Sequence, residues 1–285
     1  DWPDFNMRVA KKLCKQGFKI IYYISPQVWA WRAGRAKKYG AVTDMMAVIF
    51  PFEVPYYDAA RVPVRYVGHP SVDKARPLRS KLDNFRIMGL DSTIPIVGLF
   101  PGSRQNEIER MLPTMLAAAH NLQKSFPDIH FLLAQADSIP DALIAAHIKP
   151  TDLPITVIKK KPYDVIQCCH AIMTTSGTAS LEIALLGVPM VVAYKLSPST
   201  YWLGKQLVKT PFIGLPNIVL NKLTVKELIQ HEANAENLAK EIYKILTDQP
   251  YAEQIRQDLL QVKHRLGVGG GSKNMASLAL EMLKG

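Results

Sequence analysis

Short apolar runs alternate with helical stretches along most of the chain. The apolar runs are typical of buried β-strands and cover residues 18–24, 45–50, 64–67, 94–100, 130–134, 155–160, 171–175 and 190–194. The stretches between them predict helices over residues 7–16, 32–40, 106–124, 140–147, 163–169 and 179–186, with a helical tail from residue 225. Strands that alternate with helices in this way predict an α/β fold with parallel sheets.

A polar stretch divides the chain. Residues 71–93 are rich in Arg and Pro and lack the apolar periodicity of a core element, so we expect a linker there. The run GVGGGS at residues 267–272 predicts a flexible hinge in the helical tail. The predicted domains are therefore residues 1–78, 79–250 and 251–285, the last of which holds the C-terminal helices.

The composition is that of a folded globular protein. Of the 285 residues, 48% are hydrophobic, which excludes an intrinsically disordered chain. No apolar run reaches the roughly 18–20 residues that a membrane-spanning helix needs. Cys168 and Cys169 are adjacent, and the cysteines fit neither a disulfide framework nor a zinc motif, so we expect reduced thiols in a cytosolic protein. The chain begins at Asp1, inside what reads as a motif, and is expected to be a piece of something longer.

Positive charge is concentrated in the first part of the chain. The formal net charge is +11, and residues 1–80 hold 14 basic and 6 acidic residues. Such charge suits nucleic acid, an anionic membrane surface or a phosphorylated substrate. No helix-turn-helix, RNP or zinc-finger signature accompanies it, so nucleic acid is not expected. Trp29 and Trp31 beside Arg32 and Arg35 instead favour contact with acyl chains at a membrane–water interface. The alternative is ordinary core aromatics beside a solvated basic face.

Two loops carry the candidate chemistry. In the first, Pro101, Gly102, Ser103 and Arg104 follow the strand 94–100 and precede a helix. Gly102 allows the backbone to approach a ligand closely, Ser103 and the helix N-terminus offer N–H groups to an anion, and Arg104 supplies a planar fork for phosphate oxygens. A plain strand-to-helix turn with Ser103 as the helix cap is the alternative.

The second loop again joins a strand to a helix. Ser176, Gly177 and Thr178 are expected to hold a diphosphate, and Glu182, one helical turn further on, to accept hydrogen bonds from a ribose diol. A helix cap with a surface glutamate is the alternative. Two such loops on one sheet favour a nucleotide-diphosphate site. The chain has neither a G-x-G-x-x-G fingerprint nor a P-loop, so a bound dinucleotide and ATP hydrolysis are not expected.

Several longer motifs occur in a fixed order. They are, along the chain, DWPDFN (1–6), SPQVWAWRAGR (25–35), PFE (51–53), YVGHP (66–70), LFPGSRQNEIE (99–109), TTSGTASLE (174–182) and VKTPFIGLPN (208–217). With these motifs the chain closely resembles the lipid-A-disaccharide synthases, a family of bacterial glycosyltransferases with the GT-B architecture. The resemblance extends over nearly the whole chain. It implies two Rossmann-like parallel-sheet domains facing a cleft, the first of them incomplete here.

The resemblance implies a reaction and a setting. The reaction is an inverting transfer of 2,3-diacylglucosamine from UDP-2,3-diacylglucosamine to 2,3-diacylglucosamine 1-phosphate. It gives lipid A disaccharide 1-phosphate and UDP in the lipopolysaccharide biosynthesis of Gram-negative bacteria. The setting is the cytoplasmic face of the inner membrane, to which the protein binds peripherally.

The resemblance also gives each predicted domain a role. Residues 1–78 become an acceptor- and membrane-facing domain and residues 79–250 a UDP-sugar-binding domain. Residues 251–285 cross back to the first domain within one subunit or across a homodimer. The alternatives are another GT-B enzyme, such as a UDP-GlcNAc 2-epimerase or a lipid-linked GlcNAc transferase, and a basic nucleic-acid-binding protein.

The family motifs also imply roles for single residues. Asp1 matches the first aspartate of the DxPDFN motif and is the expected general base or its orienter, with Asp4 as an alternative carboxylate. Arg104 neutralises the diphosphate, and Asn217 of the LPN motif positions the donor or, alternatively, caps a turn. His69 is expected near the substrate and is an alternative base. Neither a metal nor another cofactor is expected, because Arg104 and helix dipoles take over the neutralising role.

Overall fold

The structure is a computed structural model that describes residues 2–31, 33–196 and 210–284. Its strands are β1 Ile21–Tyr23, β2 Met45–Val48, β3 Val64–Tyr66, β4 Ile96–Phe100, β5 His130–Gln135, β6 Ile155–Lys159, β7 Ala171–Thr174, β8 Met190–Tyr194 and β9 Lys226–Ile229. Its α-helices are α1 Pro3–Cys14, α2 Val28–Trp31, α3 Ala36–Gly40, α4 Val54–Asp58, α5 Pro70–Lys74, α6 Lys81–Met88, α7 Gln105–Ser125, α8 Asp141–Ile148, α9 Pro162–Cys168, α10 Thr178–Leu185, α11 Leu215–Leu220, α12 Ala235–Thr247, α13 Gln249–Leu266 and α14 Gly271–Lys284.

The chain folds into two compact units. Unit 1 consists of Asp1–Lys74, Pro198–Pro211 and Lys263–Gly285, and unit 2 of Ala75–Ser197 and Phe212–Val262. The domain limits expected at residues 78 and 250 stay a prediction. The parallel sheets and the helices between their strands confirm the predicted α/β class.

Unit 1 contains a three-stranded parallel sheet in the order β1-β2-β3. Its core is built around the middle strand, where Met46 and Val48 are fully buried, and Tyr22, Tyr39 and Tyr57 pack around them. The predicted strand 18–24 pairs only over Ile21–Tyr23. The helix predicted over residues 7–16 begins earlier, at Pro3. A proline fits the first helical turn, where its missing N–H would have no partner, and the adjacent acidic Asp4 complements the helix dipole.

The glycine segment before α14 is anchored. Asp73 accepts hydrogen bonds from the backbone N–H of Gly270 (2.7 Å) and Gly271 (3.1 Å). A Cβ on Gly271 would lie 2.8 Å from the carbonyl oxygen of Gly68, so only glycine allows this close approach. Asn274 adds a hydrogen bond of 2.9 Å to the carbonyl of Val67. The predicted flexible hinge at 267–272 was therefore wrong for residues 269–271, which pack closely, whereas a Cβ on Gly267 would meet no heavy atom within 4 Å.

Unit 2 contains a six-stranded parallel sheet in the order β6-β5-β4-β7-β8-β9. Numbered within the sheet, this is the Rossmann order 3-2-1-4-5-6, which reverses between β4 and β7. The central strand β4 is buried along its whole length, with Gly98 opposite Leu132 on one side and Ile172 on the other. The carboxyl ends of the strands next to such a reversal form a crevice in which ligands bind.

The edge strand β9 was not predicted. The tail from residue 225 reads as helical, yet Lys226–Ile229 pairs in parallel with β8. Lys, Glu and Leu favour a helix in isolation, but pairing with an open sheet edge outweighs that local preference.

The predicted linker over residues 71–93 contains the boundary between the two units, at Lys74 and Ala75. Its expected lack of core elements was wrong, because it also contains much of α5 and all of α6. Ser80 caps α6 by accepting a hydrogen bond from Asp83 N at 3.1 Å, and Gly89 ends it with a left-handed φ of 64°. Phe85 is 4% exposed and anchors this short helix in unit 2. One buried aromatic residue in a polar stretch is too weak a pattern to predict a core element.

Candidate functional site

A hollow of about 450 Å³ opens at the carboxyl ends of β4, β5, β6 and β7 in unit 2. It lies where the strand order reverses, and the two turns predicted from the sequence both belong to its wall. The lining residues that matter most for the chemistry are Gly102, Arg104, Lys160, Gly177, Thr178 and Glu182.

The first turn directs its N–H groups toward its own helix. Gly102 has a φ of 118°, and a Cβ there would overlap the carboxylate of Glu107. Glu107 Oε2 accepts hydrogen bonds from the backbone N–H of Ser103 (2.9 Å) and Arg104 (3.3 Å). The alternative of Ser103 as the helix cap was wrong, because the N-cap of α7 is Arg104. Ser103 lies on the wall of the hollow with its N–H occupied, and its role as a phosphate ligand stays a prediction. Glu107 was missed, although a glutamate at the third helical position is typical of a helix start.

Arg104 is the cation of the first turn. Its side chain is 80% exposed, and it forms an ion pair in which Nη1 lies 3.3 Å from Glu107 Oε1. Since such an exposed pair stabilises little, the guanidinium can turn toward an anion in the hollow at small cost. Lys160 is a second cation on the wall, where the chain leaves β6 with a φ of 62°. No motif in the sequence indicated it.

The second turn leaves its N–H groups open to the hollow. Gly177 has a φ of 154°, and a Cβ there would have no heavy atom within 4 Å. Within the described part of the chain, the N–H groups of Gly177, Thr178 and Ala179 meet no acceptor. The N–H and the Oγ of Ser180 both donate to the carbonyl of Gly177, at 3.2 and 2.7 Å. Free N–H groups at the positive end of a helix dipole bind anions, so this turn offers the better diphosphate site.

Ser176 uses its hydroxyl proton inside the protein. Its Oγ donates a hydrogen bond of 2.7 Å to the carbonyl oxygen of Ile213. A serine hydroxyl has a single proton, so in this arrangement Ser176 cannot also donate to a phosphate. Ser176 lies on the wall of the hollow, as predicted, and the contact of its hydroxyl with a phosphate stays a prediction that would require this hydrogen bond to break.

Glu182 lies one helical turn beyond the open N–H groups, and its side chain is held in position. Tyr163 donates a hydrogen bond from its hydroxyl to Glu182 Oε1 at 3.0 Å. Burial, together with the negative charge of Glu182, raises the pKa of Tyr163 to about 12, so the phenol stays protonated and remains a donor. A positioned carboxylate on the wall of the hollow suits the two hydroxyls of a ribose.

Asn217 is fully buried and uses its whole side-chain amide within the protein. Oδ1 accepts from the N–H groups of Thr224 (2.9 Å) and Val225 (3.0 Å), and Nδ2 donates to Val225 O (2.8 Å) and Glu227 Oε1 (2.7 Å). This geometry favours the alternative in which Asn217 caps a turn. Because Asn217 is fully buried, the donor positioning expected from the LPN motif stays a prediction that requires an indirect route.

His69 follows β3 in unit 1 and is 6% exposed. Burial lowers the pKa of its ring to about 4, so the ring is neutral at pH 7. Its Nδ1 accepts a hydrogen bond of 3.1 Å from Ser71 N, and its ring centroid lies 4.9 Å from that of Phe50. The nitrogen that would take up a proton is thus already engaged, which argues against the alternative of His69 as general base.

The predicted membrane-contact residues are only partly within the described chain. Trp29 is 8% exposed and packs edge-on against Phe52 at 5.2 Å, so it belongs to the core of unit 1 and not to an exposed interface. Arg35 is half-buried. Asp1, Arg32 and the side chain of Trp31 lie outside the described residues.

Over 2–31, 33–196 and 210–284, no three His, Cys, Asp or Glu side chains lie close enough together to hold a metal ion. None of the described helices is long and apolar enough to cross a bilayer. The cysteines are free, with Cys14 exposed and Cys168 and Cys169 buried.

Solved structures share this architecture. The UDP-GlcNAc 2-epimerase from Neisseria meningitidis, solved bound to UDP-GlcNAc, matches with a TM-score of 0.64 at 14% identity, covering 96% of this chain and 73% of that one. WaaG, a glycosyltransferase involved in lipopolysaccharide biosynthesis, matches with a TM-score of 0.52 at 11% identity, covering 95% and 94%. The fold and the hollow at its switch point therefore define a GT-B protein.

The sequence comparisons narrow this class to one family. A profile described as lipid-A-disaccharide synthetase matches residues 1–281. The lipid-A-disaccharide synthase of Geobacter sulfurreducens is 50% identical over 283 residues, which cover 99% of this chain and 74% of that protein. The synthase of Nitrosococcus oceani is 41% identical over 285 residues, covering 100% and 73%. The chain belongs to the lipid-A-disaccharide synthase family, whose members are glycosyltransferases of lipid A biosynthesis.

Proposed function

We propose that the hollow of unit 2 binds the uridine diphosphate group of a UDP-sugar donor. The observation that carries this proposal is the pair of glycine turns that share one hollow at the switch point, with free N–H groups at the start of α10. The diphosphate lies against those N–H groups, Arg104 neutralises its charge, and Glu182 accepts hydrogen bonds from the ribose. A protein of the same fold that binds UDP-GlcNAc supports this ligand class.

The proposed reaction transfers a lipid-bearing sugar. The 6-hydroxyl oxygen of 2,3-diacylglucosamine 1-phosphate attacks the anomeric carbon of UDP-2,3-diacylglucosamine on the side opposite the diphosphate. The bond from that carbon to the diphosphate oxygen breaks, UDP leaves with the bonding electrons, and the hydroxyl proton passes to a base. The products are lipid A disaccharide 1-phosphate, with an inverted anomeric centre, and UDP. Membership of the family supports this assignment.

Stabilising the departing UDP is the main electrostatic task. Negative charge grows on the diphosphate as the bond breaks, and pre-positioned donors lower the energy of that transition state. Arg104 and the positive end of the α10 dipole lie around the hollow. We propose that these groups act without a metal or another cofactor.

The base of the reaction stays a prediction from the family motif, which makes Asp1 the expected base or its orienter and Asp4 the alternative carboxylate. We assign His69 a different task. Because Nδ1 of the neutral ring accepts from Ser71, the ring proton is on Nε2. His69 can therefore donate a hydrogen bond to a substrate oxygen but is poorly suited to remove a proton.

We further propose that the protein works at the cytoplasmic face of an anionic membrane. Both substrates carry acyl chains, and cationic side chains are attracted to such a surface. Lys37 and Lys38 are exposed on α3, and they support this orientation. The family resemblance allows either a monomer or a homodimer, and sedimentation analysis distinguishes the two.

Calorimetric titration tests the donor site. UDP is expected to bind at least about tenfold more tightly than UMP, because UMP lacks the second phosphate that charged hydrogen bonds hold. Glu182→Gln is expected to weaken UDP binding, whereas Glu236→Gln, which removes the same charge from an exposed position in unit 2, is not. Equal affinities for UDP and UMP, or no UDP binding at all, would contradict the proposal. Turnover of a labelled donor separates disaccharide formation from epimerisation.

A further inference from the structure

Glu227 lies on the edge strand β9, outside the wall of the hollow, and its carboxylate collects three N–H donors. Oε2 accepts from Ile213 N at 2.9 Å, and Oε1 accepts from Gly214 N at 2.9 Å and from Asn217 Nδ2 at 2.7 Å. Hydrogen bonds to a charged acceptor are roughly twice as strong as those between neutral groups. The carboxylate therefore ties the segment before α11 to the sheet.

The segment held by Glu227 has little room to move. A Cβ on Gly214 would lie 3.1 Å from Glu227 Oε1 and 3.3 Å from Val192 Cγ2, so the backbone rests directly on β8 and β9. Asn217 adds a second tie, since its remaining hydrogen bonds go to the turn that leads into β9. Residues 213 and 214 are thus fixed from both sides.

A hydrogen bond links the fixed segment to the donor site. The carbonyl oxygen of Ile213, whose own N–H is bound by Glu227, accepts from Ser176 Oγ at 2.7 Å. Ser176 directly precedes Gly177 and Thr178, which carry the free N–H groups of the hollow. The position of the Ile213 carbonyl therefore influences the conformation of the turn 176–178, whose N–H groups face the hollow.

We propose that Glu227 is a positioning residue for the donor site. It holds the carbonyl of Ile213 against Ser176 and thereby fixes the turn 176–178 in the geometry that binds diphosphate. This inference rests on the proposed function of the hollow. It also gives Asn217 a route to influence activity, because a fully buried side chain can act through Glu227 without touching the substrate.

A double-mutant cycle tests the link. Glu227→Gln removes the charge and replaces one acceptor oxygen by a donor, and it is expected to raise the Kd for UDP about tenfold. Ser176→Ala removes the other end of the same link and is expected to raise the Kd similarly. Because both substitutions break the same link, the Kd for UDP of the double variant should be no higher than that of whichever single variant binds UDP more weakly. Glu236→Gln is the charge-matched control and should bind like the unmodified protein.

Steady-state kinetics distinguish positioning from a purely structural role. Glu227→Gln is expected to raise the KM for the UDP-sugar donor and to leave the KM for the acceptor unchanged. A purely structural role would lower the melting temperature and the active fraction while both KM values stay constant. If Glu227→Gln does not fold, Glu227→Asp, which keeps the charge on a shorter side chain, replaces it in the same cycle.

The outcomes separate the two proposals. Failure of the unmodified protein to bind UDP overturns the proposed function, and this inference with it. Normal UDP binding by the protein combined with an unchanged Kd for Glu227→Gln overturns this inference alone. This inference alone is also overturned if the increases in Kd for UDP caused by Ser176→Ala and Glu227→Gln multiply in the double variant, because the two substitutions then act independently.

Discussion

Replacing Arg104 by alanine separates ligand binding from stability. The side chain is 80% exposed and its ion pair with Glu107 spans 3.3 Å, so its loss should cost about 0.5 kcal/mol of stability or less. A hydrogen bond between charged groups contributes about 1.5–3 kcal/mol, which corresponds to about 10- to 150-fold in affinity. We expect UDP binding to weaken within that range while the melting temperature falls by no more than about 2 °C.

Calorimetric titration with UDP and thermal melts of the same samples measure the two effects of Arg104→Ala. The matched control is Arg110→Ala, which removes an equal charge from an exposed position further along α7. An affinity for UDP that stays at the unmodified value in Arg104→Ala would refute the assignment. Equal losses in both variants would show that only the overall charge of this surface matters.

Three further predictions concern other parts of the molecule. Burial lowers the pKa of folded His69 to about 4 from its ordinary 6.5, so as pH falls the unfolded state takes up the proton first. The free energy of unfolding is therefore expected to fall by about 3 kcal/mol between pH 6.5 and 4. Urea unfolding of His69→Gln should show a smaller fall over the same range, and a pH profile equal to that of the unmodified protein would count against this role of His69. Gly102→Ala should lower the free energy of unfolding by about 2 kcal/mol, because alanine disfavours a φ of 118° and its methyl group would displace the carboxylate of Glu107; denaturant unfolding that matches the unmodified protein would disprove it. Charge reversal of Lys37 and Lys38 together should weaken sedimentation with anionic vesicles but not with neutral ones, and unchanged partitioning would remove the membrane proposal.

Much of the fold could be predicted because buried parallel strands leave a simple signal. The apolar runs at 94–100 and 171–175 correspond to β4 and β7, whose residues are buried throughout. β9 could not be predicted in this way, since its exposed and half-buried positions carry Lys and Glu, and only pairing with β8 makes it a strand. Short elements such as α6 also could not be predicted, because their sequences are mostly polar and only a contact in the folded chain buries their anchoring residue.

The candidate site was predictable in outline only. A glycine after a buried strand and before a helix identified both turns, because such positions recur wherever a backbone approaches a ligand. The side chain of Glu107 decides which turn can bind an anion, because it accepts hydrogen bonds from the N–H groups of the first turn. Among the described residues, the N–H of Gly177 in the second turn has no such acceptor. Glu227 is distant from Ser176 in the sequence, and only the folded chain brings the two into one network.

The anchoring of α14 to β3 and α5 has a consequence for how the protein folds during its own translation. Unit 1 joins an early stretch of the chain, up to Lys74, to a late one that starts at Lys263, whereas all of unit 2 lies between them. Contacts of such long sequence separation form slowly, and a chain leaving the ribosome acquires them only when Asp73 can meet Gly270. During translation unit 2 can therefore fold before unit 1 is complete, since the anchor of the glycine segment on Asp73 forms only once Gly270 has emerged.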